Sequence, residues 1–328
     1  MRAATYTQYG PPDLVVQISD VEKPVPKDDE LLIKVRAASV NPLDSHLMKG
    51  GPYIVRLLLR LGKPKIKRPG VDVAGQVEAV GKNVTQFKPG DAVFGLCKGA
   101  FAEYLCAPES AFVIKPENIT FEQAASVPVA ALTALQGLRD QGHLQAGQKV
   151  LINGAAGGVG TFAVQIAKSC GAHVTAVCST SNVDMVRSIG ADHVIDYTQQ
   201  DFTKANPTNG EGYDIIFDNV GNHSLSAGRD LLNPRGIHLM VGILGGRGIL
   251  SLLTRLITAL IWSRFISQKF VFFVAKLNKQ DLTTLSELIA AGKVTSVIDR
   301  CYTLNQVPEA IRYLSEQHAR GKVVITLQ

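Results

Sequence analysis

The chain has few cysteines, and none of them are arranged in pairs. Its five cysteines are scattered at Cys97, Cys106, Cys170, Cys178 and Cys301, and no C-x-x-C motif occurs. This spacing excludes a zinc knuckle and a disulfide framework. The odd number of cysteines and the lack of a signal peptide favour a reducing compartment, so we expect a cytoplasmic protein.

Charge is also sparse, and it is not concentrated in any segment. Only 19% of the residues are charged and 46% are hydrophobic, which is typical of a globular protein. The net charge is +6, but the basic residues are spread along the chain without interleaved aromatics. We therefore predict no nucleic-acid partner, and an anionic cofactor explains the basic excess equally well.

No long apolar run is free of charge. Two stretches, 53–62 and 249–266, come nearest, but each contains arginines and neither is a clean span of about 20 apolar residues. The second has the composition of an amphipathic interfacial helix. We expect both to line a substrate cleft, with Trp262 and Phe265, and keep weak peripheral membrane contact as the alternative.

A glycine turn in the middle of the chain organises the rest. The apolar segment 149–153 predicts a buried strand, the turn that follows has the form A-x-G-x-x-G, and a helix begins near Thr161. This strand–turn–helix pattern is typical of a dinucleotide site, in which backbone N–H groups and the helix dipole face a pyrophosphate. The predicted cofactor-binding residues of the turn are Ala155, Gly157, Gly158, Val159 and Gly160.

The next strand, predicted over 173–178, ends without a carboxylate. NAD sites normally have Asp or Glu here to bind the ribose 2′-hydroxyl, whereas this chain has Ser179 and Thr180. Hydroxyl groups donate to a 2′-phosphate, which a carboxylate would repel. We therefore predict NADP(H) as the cofactor and consider NAD(H) less favoured. The absence of Lys or Arg at Asn182 weakens this preference. Arg187 is the alternative cation, and it fits a solvated helix surface equally well.

The two ends of the chain differ in pattern from its middle. Short strands separated by glycine turns occupy the first third, which indicates a small barrel-like β domain. Thr120, with Gln123 three residues on, predicts a capping box at the start of the helical passage. From about residue 126, strands alternate with helices, among them a strand predicted over 236–242, which indicates a parallel, doubly wound sheet. The tail has helices over 280–291 and 307–316 and strands over 294–300 and 322–327, and we expect it to pack on the first domain.

Several motifs together resemble the medium-chain dehydrogenase/reductase superfamily, and most closely its zinc-free quinone oxidoreductase branch. The resemblance implies an α/β fold in which a Rossmann domain, 126–276, is joined to a β-rich GroES-like substrate domain, 1–125 with 277–328. The segments that carry it are 41–44 (NPLD), 69–75 (PGVDVAG), 87–93 (FKPGDAV), 130–134 (AALTA), 155–160 (AAGGVG), 188–192 (SIGAD) and 321–324 (GKVV).

The same resemblance implies that no metal takes part in the reaction. Zinc-dependent relatives hold their catalytic zinc with Cys, His and Cys, and the matching positions here are Asn41, Val71 and Val129. None of these side chains is a thiolate or imidazole ligand, and closely spaced cysteines for a structural zinc are absent too. We therefore expect no metal site.

The predicted catalytic residues are Asn41, Asp44 and His46. By resemblance, Asn41 contacts the nicotinamide ribose or the substrate oxygen, although an Asn before Pro42 also stabilises a turn. Asp44 is more often a loop-organising residue than a base. His46 is positioned to protonate an enolate, but a partly exposed, inactive histidine is the favoured interpretation.

Further cofactor contacts are implied by the resemblance for Thr133 and Tyr197, and by position at the ligand edge of the sheet for the ends of later strands. They comprise a helical threonine, a tyrosine of the adenosine pocket, the ends of two later strands, and a lysine from the tail. A back-bonding helix threonine, tight turns and a solvated lysine are the simpler alternatives. These predicted residues are Thr133, Tyr197, Asn219, Val220, Gly221, Val241, Gly242 and Lys322.

These features predict an NADPH-dependent reductase of quinones or α,β-unsaturated carbonyl compounds. Without a Lewis acid, a conjugated acceptor is favoured because it delocalises the charge that develops on its oxygen. The alternatives are a metal-free NAD(P)-dependent alcohol dehydrogenase and a cofactor-binding or peripheral membrane protein with little turnover. The hydrophobic segment 270–274 is predicted to be an edge strand that pairs across a two-fold homodimer.

Overall fold

The computed structural model describes residues 1–49, 68–204, 212–241, 258, 262, 266–316 and 319–327. The chain divides into two compact units, one of Met1–Val129 with Leu277–Gln328 and one of Ala130–Lys276. Among the described residues, no helix has the length and apolar character needed to cross a membrane.

The first unit is built on a seven-stranded sheet and a separate hairpin. The sheet has the order β14-β15-β3-β4-β5-β7, and β6 also pairs with β3. The hairpin pairs β1 with β2 in antiparallel fashion. The bounds of the strands are β1 Arg2–Thr5, β2 Gln17–Asp20, β3 Glu30–Val40, β4 Asp72–Val80, β5 Ala92–Leu96, β6 Tyr104–Pro108, β7 Phe112–Ile114, β14 Ile298–Thr303 and β15 Lys322–Thr326.

The tail of the chain completes this sheet, as expected. Strand β15 pairs with β3 in antiparallel fashion and with β14 in parallel fashion. The predicted strand over 294–300 was wrong in position, because β14 begins at Ile298, opposite Lys322. The partner strand β15 sets this register, and Val294 is buried in the preceding loop.

The helices of the first unit have recognisable start signals. Thr120 and Gln123 form the predicted capping box, in which each side chain bonds to the other residue's backbone N–H. The tail helix over 307–316 also occurs as predicted. The helices are α1 Pro12–Val15, α2 Pro42–Lys49, α3 Phe121–Ala125, α8 Lys279–Ala290 and α9 Val307–Glu316, while α4 Pro128–Gln136 leads into the second unit.

The second unit is a parallel sheet of six strands in the order β10-β9-β8-β11-β12-β13. Every pairing in it is parallel, which confirms the predicted doubly wound sheet. Its strands are β8 Lys149–Asn153, β9 His173–Cys178, β10 His193–Asp196, β11 Tyr213–Asp218, β12 Leu232–Met240 and β13 Lys269–Phe272. Its helices include α5 Gly158–Ser169, α6 Val183–Ser188 and α7 Leu225–Asp230.

Two strands of this sheet differ from their predicted extents. Strand β12 starts at Leu232, four residues earlier than predicted, and its register against β11 shifts between Tyr213 and Ile215. This irregularity accommodates Pro234 and Gly236, which sequence patterns place in a turn. Strand β13 lies at the sheet edge as predicted but ends at Phe272.

Candidate functional site

The turn between β8 and α5 forms the core of the candidate nucleotide site. Gly154 has a φ of 77°, and Gly157 is the N-cap of the 12-residue helix α5. The backbone N–H of Ala155 donates to the carbonyl of Val177 over 3.0 Å, which fixes the turn to β9. Because the N-cap is a glycine, no N-cap side chain competes for the first N–H groups of α5.

Glycine is needed at positions 160 and 157 of this turn for different physical reasons. A methyl group added to Gly160 would lie 2.1 Å from the Gly154 carbonyl oxygen and 2.7 Å from the Ala155 Cα. Gly160 is therefore required for α5 to pack against the turn. A methyl group on Gly157 would meet only the Gly154 oxygen, at an ordinary 3.5 Å. The fold does not need glycine at 157, and this leaves close approach of a ligand as its reason.

A second turn follows β11 at the same carboxyl edge of the sheet. The Asp218 Oδ1 atom accepts from the N–H groups of Val220 and Gly221, at 3.1 and 2.9 Å, and from the Asn153 side chain at 2.8 Å. A methyl group on Gly154 would contact the Val220 side chain at 2.7 Å, so the two turns are adjacent.

This second turn presents groups suited to a ligand. The Asn219 Oδ1 atom is buried and has no hydrogen-bond partner in the described part of the chain. Val220 is 45% exposed although it is apolar. The Val241 N–H donates to the Asp218 carbonyl at 2.9 Å, which brings the end of β12 to the same place. The predicted Gly242 lies outside the described residues.

The residues predicted to bind the ribose phosphate lie after β9 and β10. The Asn182 side chain donates to the Ser179 hydroxyl at 2.9 Å. The Thr180 hydroxyl donates to Asp196 at 2.6 Å, and the Tyr197 ring is 47% exposed. Asp196 is a carboxylate that the sequence analysis did not place here, because it belongs to the next strand, β10. Its bonds with Thr180 and Thr198 lower its pKa.

A buried polar cluster in the first unit joins Ser39, Asn41, Asp72 and Lys322. The Asp72 Oδ2 atom accepts from the Ser39 hydroxyl and the Asn41 amide, each at 2.9 Å. The Lys322 ammonium donates to the Asn41 Oδ1 atom at 2.7 Å and lies 3.4 Å from Asp72. All four residues are at most 3% exposed. Asn41 is therefore held at both ends of its amide.

Asp44 organises the start of α2. Its two carboxylate oxygens accept from the backbone N–H groups of Asn41 and Gly70, at 2.8 and 3.2 Å. Burial raises the pKa of Asp44 to about 7, against the effect of these two bonds, and the nearby charge of Asp72 adds to the rise. This geometry matches the loop-organising role weighed for Asp44.

His46, a predicted catalytic residue, and Thr133, a predicted cofactor contact, lie on helices. His46 lies on α2 and is partly exposed, and burial together with the charge of Lys49 lowers its pKa. Its imidazole is therefore neutral at pH 7. Thr133 lies within α4 and is 9% exposed. The roles of both residues stay predictions.

The three positions that match zinc ligands meet around Asp72. The Val129 N–H donates to the Asp72 Oδ1 atom at 2.9 Å, Asn41 donates to Oδ2, and Val71 precedes Asp72 in the chain. The donor set contains no thiolate or imidazole, and the cation already beside the carboxylate is the Lys322 ammonium. These side chains do not fit a catalytic zinc ion.

Comparison with known proteins assigns the family. Two family models match: "Alcohol dehydrogenase GroES-like domain" over residues 27–117 and "Zinc-binding dehydrogenase" over residues 189–325. The chloroplastic quinone-oxidoreductase QR1 of Triphysaria versicolor is 34% identical, over 99% of this chain and 98% of its own. The chain belongs to the medium-chain dehydrogenase/reductase superfamily, in its quinone oxidoreductase branch.

Other members of the superfamily support this assignment. The mitochondrial NAD(P)H oxidoreductase RTN4IP1 of Danio rerio is 31% identical, over 100% of this chain and 91% of its own. The structure of the quinone oxidoreductase from Coxiella burnetii matches with a TM-score of 0.84 and 29% identity, over 100% of this chain and 99% of that one. The predicted fold, a Rossmann-type sheet with a GroES-like domain, is confirmed.

The expectation of a cytoplasmic protein is contradicted by these relatives. The names of the Danio and Triphysaria proteins place them in mitochondria and chloroplasts. The expectation depended on the odd number of cysteines and the lack of a signal peptide, and a reducing environment does not distinguish the cytoplasm from the interior of these organelles.

Sequence analysis missed several polar residues of the two sites. Asp72 lies in a quoted motif but received no role, although it holds the buried cluster together. Asn153, Asp196 and Asp218 each occupy the last position of a parallel strand. A polar residue that ends an otherwise apolar strand was the signal available, since such strand ends share one edge of the sheet.

Proposed function

We propose that this protein transfers a hydride from NADPH to a quinone or an α,β-unsaturated carbonyl compound. The observation that carries the proposal is the α5 N-terminus, where Gly157 leaves open space beside the first N–H groups of the helix. The names of the relatives, NAD(P)H oxidoreductase and quinone oxidoreductase, support the same cofactor and substrate class.

The residues of the second unit fit NADP(H). The pyrophosphate is expected against the backbone of 157–160, where the helix dipole favours an anion. The buried, unpartnered Asn219 Oδ1 atom is an acceptor suited to the carboxamide N–H, and the exposed Val220 side chain offers an apolar surface to a ring. When bound, NADPH supplies the hydride.

The preference for NADP(H) rests on the hydroxyl groups after β9. Ser179 and Thr180 offer donors to a 2′-phosphate, and Tyr197 offers an exposed ring beside them. Asp196 opposes this preference because its negative charge lies within hydrogen-bond distance of Thr180. We therefore propose NADP(H) as the better cofactor, with the discrimination against NAD(H) limited by Asp196.

The chemistry requires no Lewis acid from the protein. A conjugated acceptor spreads the developing charge onto its oxygen, and water suffices to protonate it. In this proposal Asn41 and Asp44 act by holding their backbone segment in place, since both are occupied by hydrogen bonds within the first unit. His46 is neutral and partly exposed, and we propose that it is dispensable for turnover.

The proposed function is tested by a steady-state screen with the full-length protein. We expect NADPH oxidation with quinones and enones, weak activity with simple aldehydes and none with simple alcohols. The variant His46→Phe should retain wild-type turnover, whereas Gly157→Ala should lose affinity for NADPH. Oxidation of simple alcohols without reduction of any quinone or enone would overturn the proposal.

We further propose that two copies associate through β13. Among the described strands, β13 pairs only with β12, and its residues are largely apolar. Val274 beyond it is 79% exposed. Light scattering should give the mass of a dimer, and Val271→Lys should shift it to that of a monomer.

Flotation with liposomes tests weak membrane contact, which predicts a fraction of the protein in the lipid layer.

A further inference from the structure

Three side chains that are metal ligands in many proteins converge inside the second unit. They come from Asp218 at the end of β11, His223 in the following loop and His238 in β12. The Asp218 Oδ2 atom lies 3.5 Å from the His238 Nε2 atom and 3.9 Å from the His223 Nε2 atom. All three ligand atoms lie within 4.8 Å of one another.

The cluster is buried, and part of its hydrogen-bonding capacity is unused. Asp218 and His238 are 1% and 0% exposed, and His223 is 9% exposed. The Asp218 Oδ2 atom and both ring nitrogens of His238 have no hydrogen-bond partner in the described ranges. Buried polar atoms of this kind cost free energy unless a proton, a water molecule or an ion joins them.

We propose that Asp218, His223 and His238 bind a divalent transition-metal ion, with Zn²⁺ as the best match. Two imidazoles and one carboxylate suit Zn²⁺, which takes such ligands at about 2.0–2.2 Å in a tetrahedral arrangement. That geometry separates neighbouring ligand atoms by about 3.3 Å. The observed 3.5 and 3.9 Å therefore require only a small inward movement of the two rings.

The surroundings of the cluster favour this class of ion. The Phe202 ring meets His223 edge-on with centroids 5.2 Å apart, and Phe270 lies 5.6 Å from His238. A methyl group on Gly228 of α7 would lie 2.6 Å from the His238 ring. These aromatic neighbours supply none of the oxygen ligands that Mg²⁺ prefers, whereas the two imidazoles suit Zn²⁺, with a water molecule as its fourth ligand. The Asn222 Oδ1 atom, 3.5 Å from His223 Nδ1, is placed to orient that ring.

Binding at this cluster would act on the candidate nucleotide site. The other oxygen of Asp218, Oδ1, holds the N–H groups of Val220 and Gly221. An ion on Oδ2 therefore fixes the carboxylate that shapes this turn. The role is one of positioning and stability, and it is separate from Asn41, Val71 and Val129, which belong to the first unit.

Metal binding by the full-length protein tests the proposal. After dialysis against EDTA, Co²⁺ is titrated while the visible absorption of four-coordinate cobalt is recorded, and bound Zn²⁺ is measured by mass spectrometry. His223→Gln and His238→Gln are the test variants. His193→Gln is the matched control, because His193 is an exposed strand histidine outside the cluster.

The wild type and His193→Gln should each bind one equivalent and develop the cobalt bands. Both test variants should lose that equivalent. Zn²⁺ at about 100 times its dissociation constant should raise the melting temperature of the wild type by about 4 °C and leave that of the test variants unchanged. Since His238 is fully buried, His223→Gln decides the outcome if His238→Gln does not fold.

Two results would overturn the proposal. One is a wild type that takes up no stoichiometric ion, with ¹⁵N spectra in which an imidazolium, unchanged by added Zn²⁺, faces Asp218. That outcome would make the cluster a buried ion pair only. The other is equal metal uptake by the wild type and His223→Gln, which would assign the bound ion to exposed histidines elsewhere on the protein.

Discussion

In the β8–α5 turn, Gly160 is required for folding, whereas Gly157 is expected to matter for cofactor binding. Gly160 is enclosed by backbone atoms, whereas Gly157 faces open space. We expect Gly160→Ala to lower the free energy of unfolding by about 2 kcal/mol or more, because the added methyl group overlaps the turn. Gly157→Ala should change it by less than about 0.5 kcal/mol.

The same pair of variants should behave in the opposite order when ligand binding is measured. Gly157→Ala places a methyl group where the pyrophosphate is expected and should weaken NADPH binding by about tenfold or more, which is about 1.4 kcal/mol. Urea unfolding and fluorescence titration measure the two quantities. Unchanged NADPH affinity in Gly157→Ala would show that the cofactor does not approach this turn.

The second prediction concerns the effect of Asp196 on the preference between NADPH and NADH. Its charge beside Thr180 repels a 2′-phosphate, and the effect is moderate because solvent and salt screen an exposed carboxylate. We expect Asp196→Asn to raise kcat/KM for NADPH by about threefold to tenfold and that for NADH by less than about twofold. Asp201→Asn, an exposed aspartate further along the chain, is the control. Equal effects on both cofactors would place the 2′-phosphate elsewhere.

The third prediction concerns the buried pair of Lys322 and Asp72. Lys322→Met leaves the Asp72 charge without its ammonium and should lower the free energy of unfolding by about 3–5 kcal/mol. Adding Asp72→Asn should recover part of that loss, since the remaining group is neutral. A double-mutant cycle by urea unfolding measures the coupling. Additive effects would mean that the two side chains do not interact.

Contacts between residues that are far apart in the chain could not be predicted from the sequence. Lys322 and Asn41 are separated by 281 positions, and only the pairing of β15 with β3 brings them together. The chain order contains no sign of this contact. The Gly157–Gly160 turn was predictable because the strand, turn and helix that define it are consecutive.

At the level of elements, the start of α2 gives a pH-dependent prediction. The pKa of Asp44 is raised to about 7, so between pH 4 and pH 7 the folded protein binds a proton that the unfolded chain has lost. The unfolded state binds fewer protons, and stability therefore falls as pH rises through this range, by up to about 4 kcal/mol from this group.

The variant Asp44→Asn removes the titrating group and isolates its effect. The free energy of unfolding from urea titrations should fall less between pH 5 and pH 7.5 in Asp44→Asn than in the wild type. At pH 7.5, where the wild-type carboxylate is ionised, the amide offers one oxygen acceptor instead of two to the N–H groups of Asn41 and Gly70, so the variant should be less stable at that pH. Parallel pH profiles for the two proteins would contradict the raised pKa.

Elements with strong local signals were predicted correctly, and those defined by a partner were not. The capping box at Thr120 and the helix over 307–316 depend on neighbouring residues and occur as expected. Strand β14 is shifted because β15 decides its register, and β12 is longer because β11 tolerates a bulge against it. The register and length of these strands therefore depend on pairing partners that are distant in the chain.

For the whole molecule, the net charge of +6 leads to a salt-dependent prediction. Attraction between a basic protein and an anionic cofactor is screened as the ionic strength rises. We expect the Kd for NADPH to increase by about threefold or more between about 20 mM and 200 mM NaCl, chiefly through slower association. Stopped-flow fluorescence measures both rates, with NADH as the less charged comparison. A constant association rate would contradict electrostatic steering.

The order of strands in the first unit has a consequence for synthesis on the ribosome. Strand β15 lies inside the sheet, between β14 and β3, although it is made last. Until β15 leaves the exit tunnel, the edge of β3 that pairs with it is open. During that time Asp72 also lacks its partner, the Lys322 ammonium. The middle unit, Ala130–Lys276, is continuous in the chain and is free to fold first. The part of the protein that is translated earliest is thus the part whose sheet is completed last.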